Sequence, residues 1–279
     1  MNALSSPLQL PDRADTPLRH AVYTCVVGRY DAVYPPILST PGVDHLLFTD
    51  QTGGLPRGWR SVQPSQDGAL SAQMANRHCK LFPELYLPDY DASLYIDGNI
   101  RLRGDLRPLF DLLDQGFDMV LLRHSKRQSV EEEVHACARR GKADPEVLRA
   151  ELAALQSNGF VDSGILSENN VVLRRHGVSA VESAMQEWWA HTLAHSGRDQ
   201  ISLPFFLQKH AVRVLVLPFN ARGPNPFFYD YPHLAAREGW RWRVFVDLSA
   251  RRGEGFPMGQ ALKLWKRLFG FNKRSLAAP

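Results

Sequence analysis

The chain has 279 residues, 44% of them hydrophobic and 22% charged, which excludes wholesale disorder and suffices for a sizeable core without disulfide staples. Its formal charge of +4 is uneven: Arg251–Pro279 holds seven basic residues and one acid, leaving 26 basic and 28 acidic residues before it. A mildly acidic body with a basic tail is not the profile of a nucleic-acid binder, which spreads positive charge over a folded face.

Cys25, Cys79 and Cys137 are far apart with no CxxC pair, which argues against a cysteine-rich zinc site and suits a reducing compartment. No run approaches the roughly 18 apolar residues of a spanning helix. Met1–Thr16 lacks the basic start and apolar block of a signal peptide, so the expected location is cytoplasmic.

Residues 1–18, rich in Ser, Pro and Asp, are expected to be a flexible lead-in. Ala21–Val27 is a short apolar, β-rich run closed by Gly28 and Tyr30-Asp31, and Asp44–Thr49 is a second, closed by Asp50 and the turn residues Gly53, Gly54 and Pro56. Trp59–Val62 is a candidate third strand. Ala69–Leu81 has helical spacing before Pro83, and Ser93–Ile96 is a strand ending in Asp97-Gly98-Asn99. Asp105–Leu113 reads as helix, Asp118–Leu122 as strand, and Lys126–Asn158 as polar and helical, with Asp144-Pro145 as an N-cap and first helical position. Val171–Arg175 signals a strand, Val178–Ala194 an amphipathic helix, Asp199–Lys209 a shorter one, and Val212–Leu217 a last core strand. Asn220–Pro232 is expected to be an ordered loop. Strands alternating with helices predict an α/β fold on a mostly parallel central sheet flanked by helices.

The sharpest chemical signal is Tyr95-Ile96-Asp97-Gly98-Asn99-Ile100, followed by Gly104-Asp105-Leu106. A strand ending in Asp97 and Asn99 puts two oxygen-bearing side chains at the carboxyl edge of the sheet, where open α/β folds bind ligands. A carboxylate and an amide oxygen are hard donors suited to Mg²⁺ or Mn²⁺ on a diphosphate. The same triplet is also a favourable turn, with Gly98 supplying backbone freedom. There is no GxSxG, GxxxxGK[ST] or HExxH motif, and Gly253-x-Gly255 lacks a third glycine.

KLFPELYLPDYDASLYIDGNIRLRGDL resembles the nucleotide-sugar glycosyltransferases of GT-A fold, in which an aspartate-x-aspartate motif ends a strand and G-D-L follows. The closer resemblance is to the glycosyltransferase-like family of the plant turgor-defect and mucilage-related proteins and their bacterial relatives. It rests on VYTCVVGRYD (Val22–Asp31), FTD (Phe48–Asp50), LYIDGNI (Leu94–Ile100), Arg123, His124 and Arg127, VLRRH (Val172–His176) and RDQ (Arg198–Gln200), in order over about residues 21–210. The resemblance implies a Rossmann-like nucleotide-binding half within one GT-A-like domain, residues 19–250, before a basic tail, residues 251–279.

It also implies roles. Tyr23, Gly28 and Tyr30 would hold the nucleoside, and Asp50 would accept from base or ribose or else cap its turn. Lys80, Arg123, His124 and Arg127 would bring positive charge to the diphosphate, though a lysine or basic loop facing water reads the same in sequence. Asp97 and Asn99 would take the metal, Mn²⁺ or Mg²⁺. Asn99 stands where the family pattern carries a second aspartate, which weakens the expected affinity. Asp199 and Gln200 would lie by the transferring sugar, Asp199 also being a plausible helix cap. Glu168 is a second candidate catalytic carboxylate, or an exposed loop glutamate. His210 and His233 stay open as a third metal ligand.

The implied activity is transfer of a sugar from a nucleotide-diphosphate donor, a UDP-sugar by preference, to a glycan or glycolipid acceptor in bacterial surface polysaccharide synthesis. The alternative is a non-catalytic nucleotide- or glycan-binding module on the same fold. Ala261–Arg274 has helical amphipathicity, with Lys263, Lys266, Arg267, Lys273 and Arg274 within an arc of roughly 120° and an aromatic-rich apolar face opposite. That pattern suits either an anionic membrane surface on the cytoplasmic side or a helix docked on the domain.

Overall fold

A computed structural model describes residues 17–28, 31–64, 70–231, 240–251 and 256–270. Among the described residues there are nine strands: β1 (His20–Cys25), β2 (Val43–Phe48), β3 (Arg60–Val62), β4 (Ala92–Ile96), β5 (Ile100–Leu102), β6 (Met119–Arg123), β7 (Ser167–Arg175), β8 (Val214–Leu217) and β9 (Phe228–Asp230). Seven form the central sheet in the order β3-β2-β1-β4-β7-β6-β8, while β5 and β9 make a separate antiparallel pair. The helices are α1 (Ala72–Leu81), α2 (Pro83–Tyr86), α3 (Arg107–Phe110), α4 (Val130–Arg139), α5 (Pro145–Ser157), α6 (Ser179–Ala194), α7 (Asp199–Lys209), α8 (Trp240–Ala250) and α9 (Phe256–Phe269). The expected α/β class with a mostly parallel sheet is what the chain adopts.

β7 alone runs against its neighbours: β1 is parallel to β2 and β4, β2 to β3, and β6 to β8, whereas β7 is antiparallel to both β4 and β6. The carboxyl ends of six strands and the amino end of β7 therefore share one edge. Strands β1, β2, β4 and β6 are largely apolar on both faces, as strands of a sheet covered on both sides are. On one face Tyr23, Phe48, Tyr95, Leu121 and Val172 pack with Leu81, Met185, Trp188 and Leu203 of α1, α6 and α7. On the other, Val22, Leu47, Leu94, Ile96, Val120 and Leu173 pack with Leu109 and Phe110 of α3. Period-two alternation assigns each strand residue its side, and a fully buried Leu94 contributes about 1.5–3 kcal/mol.

Helix α1 forms where predicted, capped by the Ser71 hydroxyl, which accepts from the Met74 amide at 3.3 Å. Its C-terminal carbonyls are held from inside the sheet. Fully buried Arg174 of β7 donates to Leu81 O at 2.9 Å and Lys80 O at 2.6 Å, and the Tyr23 hydroxyl donates to Cys79 O at 3.2 Å. A cation at a helix C-terminus meets the negative end of the dipole as well as its unpaired carbonyls. Asp144 caps α5 with Pro145 at its first position, as the sequence implies.

Several expectations change. β7 begins at Ser167, so Glu168 is a buried strand residue and not an exposed loop one. Asp105–Leu113 yields only the single turn α3 and a following 3₁₀ turn. β8 is a half-buried edge strand and not a core strand, and Asn220–Pro232 contains β9. Asp199 is the first residue of α7 and not its cap, since Arg198 stands there without a capping bond. The lead-in through Thr16, Tyr30, His233 and the end of the tail beyond Gly270 lie outside the described residues.

Candidate functional site

At the carboxyl edge lies a cavity of about 630 Å³ lined by Asp31, Ser71, Ala72, Gln73, Asn76, Arg77, Lys80, Asp97, Gly98 and Asp199. One wall is α1. Ala72, Asn76 and Lys80 recur every four residues, with Gln73 and Arg77 on the next row, so one polar stripe of a single helix faces the space. Three residues predicted for the site, Lys80, Asp97 and Asp199, meet here from elements 119 positions apart at the extremes. Asp31, Asn76 and Arg77 join them, residues to which the motifs assign no role; the polar i, i+3, i+4, i+7 pattern of Gln73, Asn76, Arg77 and Lys80 is the sequence signal for the helical ones.

Lys80 Nζ lies 3.2 Å from Asp199 Oδ2 and 5.2 Å from the centre of the Tyr95 ring. The Lys80 side chain is 7% exposed and that of Asp199 24%. Burial pushes the Asp199 carboxyl upward, but Lys80, Arg77 and Arg198 outweigh burial and hold it below the ordinary aspartate value. Asp199 is thus an ionised group facing the cavity at neutral pH.

Asp97 is set by its own strand. Tyr95 and Asp97 are two apart and share a face, and the Tyr95 hydroxyl donates to Asp97 Oδ1 at 2.9 Å. Asn76 lies beside that hydroxyl and donates to Cys25 O at 2.5 Å, joining α1, β1 and β4. Ile100 N then donates to Asp97 O at 2.9 Å, closing a turn. Glycine is needed at 98 for space: a Cβ there would lie 2.7 Å from Val26 Cγ2 and 3.5 Å from Asp31 Cβ. Its φ is not positive, so close approach, not a left-handed backbone, is the reason for it.

The turn carries Asn99 away from the cavity lining. Its Nδ2 donates to Tyr231 O at 2.6 Å and Asp230 Oδ1 at 3.2 Å, tying the D-x-N motif to β9. Its Oδ1 is buried with no hydrogen-bond partner among the described residues, an orphan that costs free energy unless something meets it.

The other predicted residues are distributed as follows. Tyr23 is a core residue whose hydroxyl holds the end of α1, and burial pushes its phenol far upward, so it does not face a ligand. Asp50 accepts from Gly28 N at 3.2 and 3.1 Å through its two oxygens, capping the turn after β1. Gly28 has φ of 72°, and a Cβ there would meet Ala72 at 3.1 Å. Arg123 is exposed, and neither it nor its neighbours His124 and Arg127 line the 630 Å³ cavity.

Arg127 pairs with buried Glu133, and His124 accepts from Lys126 N at 3.0 Å and Arg127 N at 2.9 Å, so the loop is organised around its own histidine. Burial, with Arg127 beside it, holds the His124 imidazole below its ordinary value. The cations of the cavity come from α1 instead. Glu168 accepts from the Ser125 hydroxyl at 2.7 Å and faces Arg222 at 3.4 Å, on the strand next to that of Asp97 and at the same edge. Gln200 reaches Ser167 O at 3.5 Å, and His210 faces Glu187 at 3.4 Å.

A second cavity of about 430 Å³ lies between the ends of β1 and β2 and the loop after β2, lined by Val26, Asp31, Ala32, Val33, Leu47, Thr49, Gln51, Gly53, Gly54, Leu55 and Pro56. Asp31 belongs to both cavities. The two recesses thus share a wall at Asp31.

Among the described residues no three His, Cys, Asp or Glu side chains gather as a metal cluster. Mg²⁺ with a nucleotide normally takes only one or two protein carboxylates, the phosphates and waters supplying the rest. Asp31 and Asp97 on one cavity and the orphaned Asn99 Oδ1 beyond Gly98 are hard oxygen donors, and they fit Mg²⁺ or Mn²⁺ in chemistry.

No curated protein matches the chain. Among solved structures, it is similar to the WbbM bifunctional glycosyltransferase (12% identity, TM-score 0.44), covering 75% of this chain and 40% of that one. It is also similar to mouse xyloside xylosyltransferase 1 (8% identity, TM-score 0.41), with 72% and 84% covered, and to A197 from STIV (10% identity, TM-score 0.32), with 78% and 87% covered. The chain thus spans about 40% of the length of the first of these. A family model described as the TOD1/MUCI70, glycosyltransferase-like domain matches residues 57–233, which carry α1, Asp97, Gly98 and Asp199. The chain is a member of the TOD1/MUCI70 glycosyltransferase-like domain family.

Proposed function

We propose that this chain transfers a sugar from a nucleotide-diphosphate donor, a UDP-sugar by preference, to a glycan or glycolipid acceptor. The observation that carries the reading is the cavity in which Asp31, Asp97 and Asp199 oppose Arg77 and Lys80. The recess around Val33, Leu47, Thr49 and Gln51 sets apolar side chains beside hydroxyl and amide groups that can hydrogen-bond a nucleobase edge, and Asp31 would separate base from diphosphate.

Formal charges in the cavity leave one negative in excess, and Lys80 is already engaged by Asp199. A diphosphate adds further negative charge, so donor binding needs a divalent cation, held by Asp97 and Asp31 with Asn99 Oδ1 as a further donor. When bound, that cation would neutralise charge on the departing diphosphate. Arg77 is the cavity cation left to pair with phosphate oxygens. Asp199, ionised and oriented by Lys80, accepts hydrogen bonds from sugar hydroxyls and stabilises positive charge developing at the anomeric carbon. Glu168, on the adjacent strand at the same edge, would stand on the acceptor side.

Calorimetric titration of UDP-sugars with and without Mn²⁺ against wild type and Asp97→Ala tests the donor site. Binding is expected only with the cation and only to wild type; equal binding in all four conditions would overturn the assignment. The commitment of the Asn99 amide to β9 favours the second reading, a nucleotide-binding module without turnover. Release of free UDP separates the two, because a pure binder produces none.

A further inference from the structure

We propose that α9, with the start of α8, is an interfacial anchor that lies on an anionic lipid surface. This is independent of the transferase reading. The inward row of α9 is Leu262, Trp265 and Phe269: Leu262 is buried, and Trp265 Nε1 donates to Arg241 O at 3.2 Å. Trp265 and Phe269 pack against Trp240 with ring centroids 5.7 and 6.0 Å apart. This corrects the expectation of one apolar face opposite one basic face.

Two rows remain outside. Leu264 and Leu268 are four residues apart and each more than half exposed, as are Phe256 at the start of the helix and Trp240 at the start of α8. Directly beside the leucines run exposed Lys263 and Arg267, again four apart. Arg241 lies over the rings of Trp240 and Phe269 at 5.6 and 5.1 Å. Large apolar side chains rarely stand this densely on a solvated helix without a partner.

Charge decides between partners. Phe256–Phe269 contains Lys263, Lys266 and Arg267 and no acid, so a second copy of the same helix would set cations against cations. Anionic headgroups pair with the basic row while the leucines and the aromatic end enter the acyl boundary, the lysine and arginine stems reaching back to the headgroups. No helix among the described residues is long and apolar enough to cross a membrane, so the helix lies on the surface and does not span it. The hairpin is fixed to the body, since the Tyr231 hydroxyl donates to Asp247 Oδ1 of α8 at 2.7 Å and Phe245 is fully buried.

The test is co-sedimentation of the full chain with phosphatidylcholine vesicles, with and without phosphatidylglycerol as one third of the lipid. Wild type should pellet with the anionic vesicles and stay in solution with the neutral ones. Lys263→Glu/Arg267→Glu should lower partitioning at least tenfold, because each basic side chain at an anionic surface contributes about a fivefold factor. Leu264→Ser/Leu268→Ser should lower it without altering the salt dependence. Both variants should keep the wild-type circular dichroism and melting temperature, because the four side chains are exposed. The proposal is overturned if wild type ignores the anionic vesicles, if either double variant binds as wild type does, or if wild type elutes as a dimer that the leucine variant dissolves.

Discussion

Replacing Lys80 by Met removes the charge beside Asp199 and keeps most of the apolar stem. At 3.2 Å and an effective dielectric constant near 20, the pair attracts by about 5 kcal/mol. Desolvation of a nearly buried ammonium takes back a large part of this, and removing one partner from such a pair destabilises by about 3–5 kcal/mol. Asp199 keeps about a quarter of its side-chain exposure and has Arg77 and Arg198 nearby, so the expected loss lies at the lower end, about 3 kcal/mol. Adding Asp199→Asn should restore much of it, giving a coupling energy of about 2 kcal/mol in the double-mutant cycle.

The cycle is read by urea unfolding at neutral pH and repeated in acid. The folded Asp199 carboxyl lies below its unfolded value, so its contribution is present above about pH 4 and fades as pH falls through the folded value. The gap between wild type and Lys80→Met should therefore close on acidification. Additivity within about 0.5 kcal/mol, or a gap independent of pH, would refute an ionised and coupled pair.

Three further outcomes follow from the geometry. Gly98→Ala should destabilise by about 1–3 kcal/mol, lowering the melting temperature several degrees, and Val26→Ala in the same chain should recover part of it, since Val26 Cγ2 is the atom struck. Arg77→Gln should weaken UDP binding in Mn²⁺ by about tenfold or more, for one charge-assisted hydrogen bond lost, with the melting temperature unchanged. His176 is held down to about 4, first by burial and then by Arg174. Its unfolded form binds a proton that the folded form refuses, so stability should fall by about 1.4 kcal/mol per pH unit between about pH 6.5 and 4. His176→Asn should flatten that slope in unfolding curves measured across the interval.

Much of the scaffold can be read from local pattern. The runs around Tyr23, Leu46, Leu94 and Leu121 are apolar on both faces because the sheet is covered on both sides, and their order with the helices implies the parallel layout. The start of β7 is less legible: Ser167-Glu168-Asn169-Asn170 is polar, and its antiparallel pairing with the end of β6 makes it strand. The small β5–β9 pair joins segments about 130 residues apart and has no local signal.

At the site, Asp97, Lys80 and Asp199 are recoverable because each stands beside a strand or helix end. Arg127 and the amide nitrogen of Asn99 mark the limit of that reading. Position along the chain says that a side chain reaches the edge, but not whether Asp230, Tyr231 or Glu133 already holds it. Tyr23 fails differently, since a tyrosine within a buried strand has its phenol in the core whatever motif it belongs to.

The bolting of α1 to β1 and β7 through Tyr23 and Arg174 has a mechanical corollary. The helix bearing Arg77 and Lys80 cannot swing on its rear end without tearing bonds out of a dry interior, so this side of the cleft behaves as a fixed jaw. Any narrowing around a bound molecule must then be travelled by the opposite side: the chain after β2 and the stretch leading into α7. Amides near Lys80 should be among the slowest to exchange with deuterium, and occupancy of the cleft should leave them unaltered.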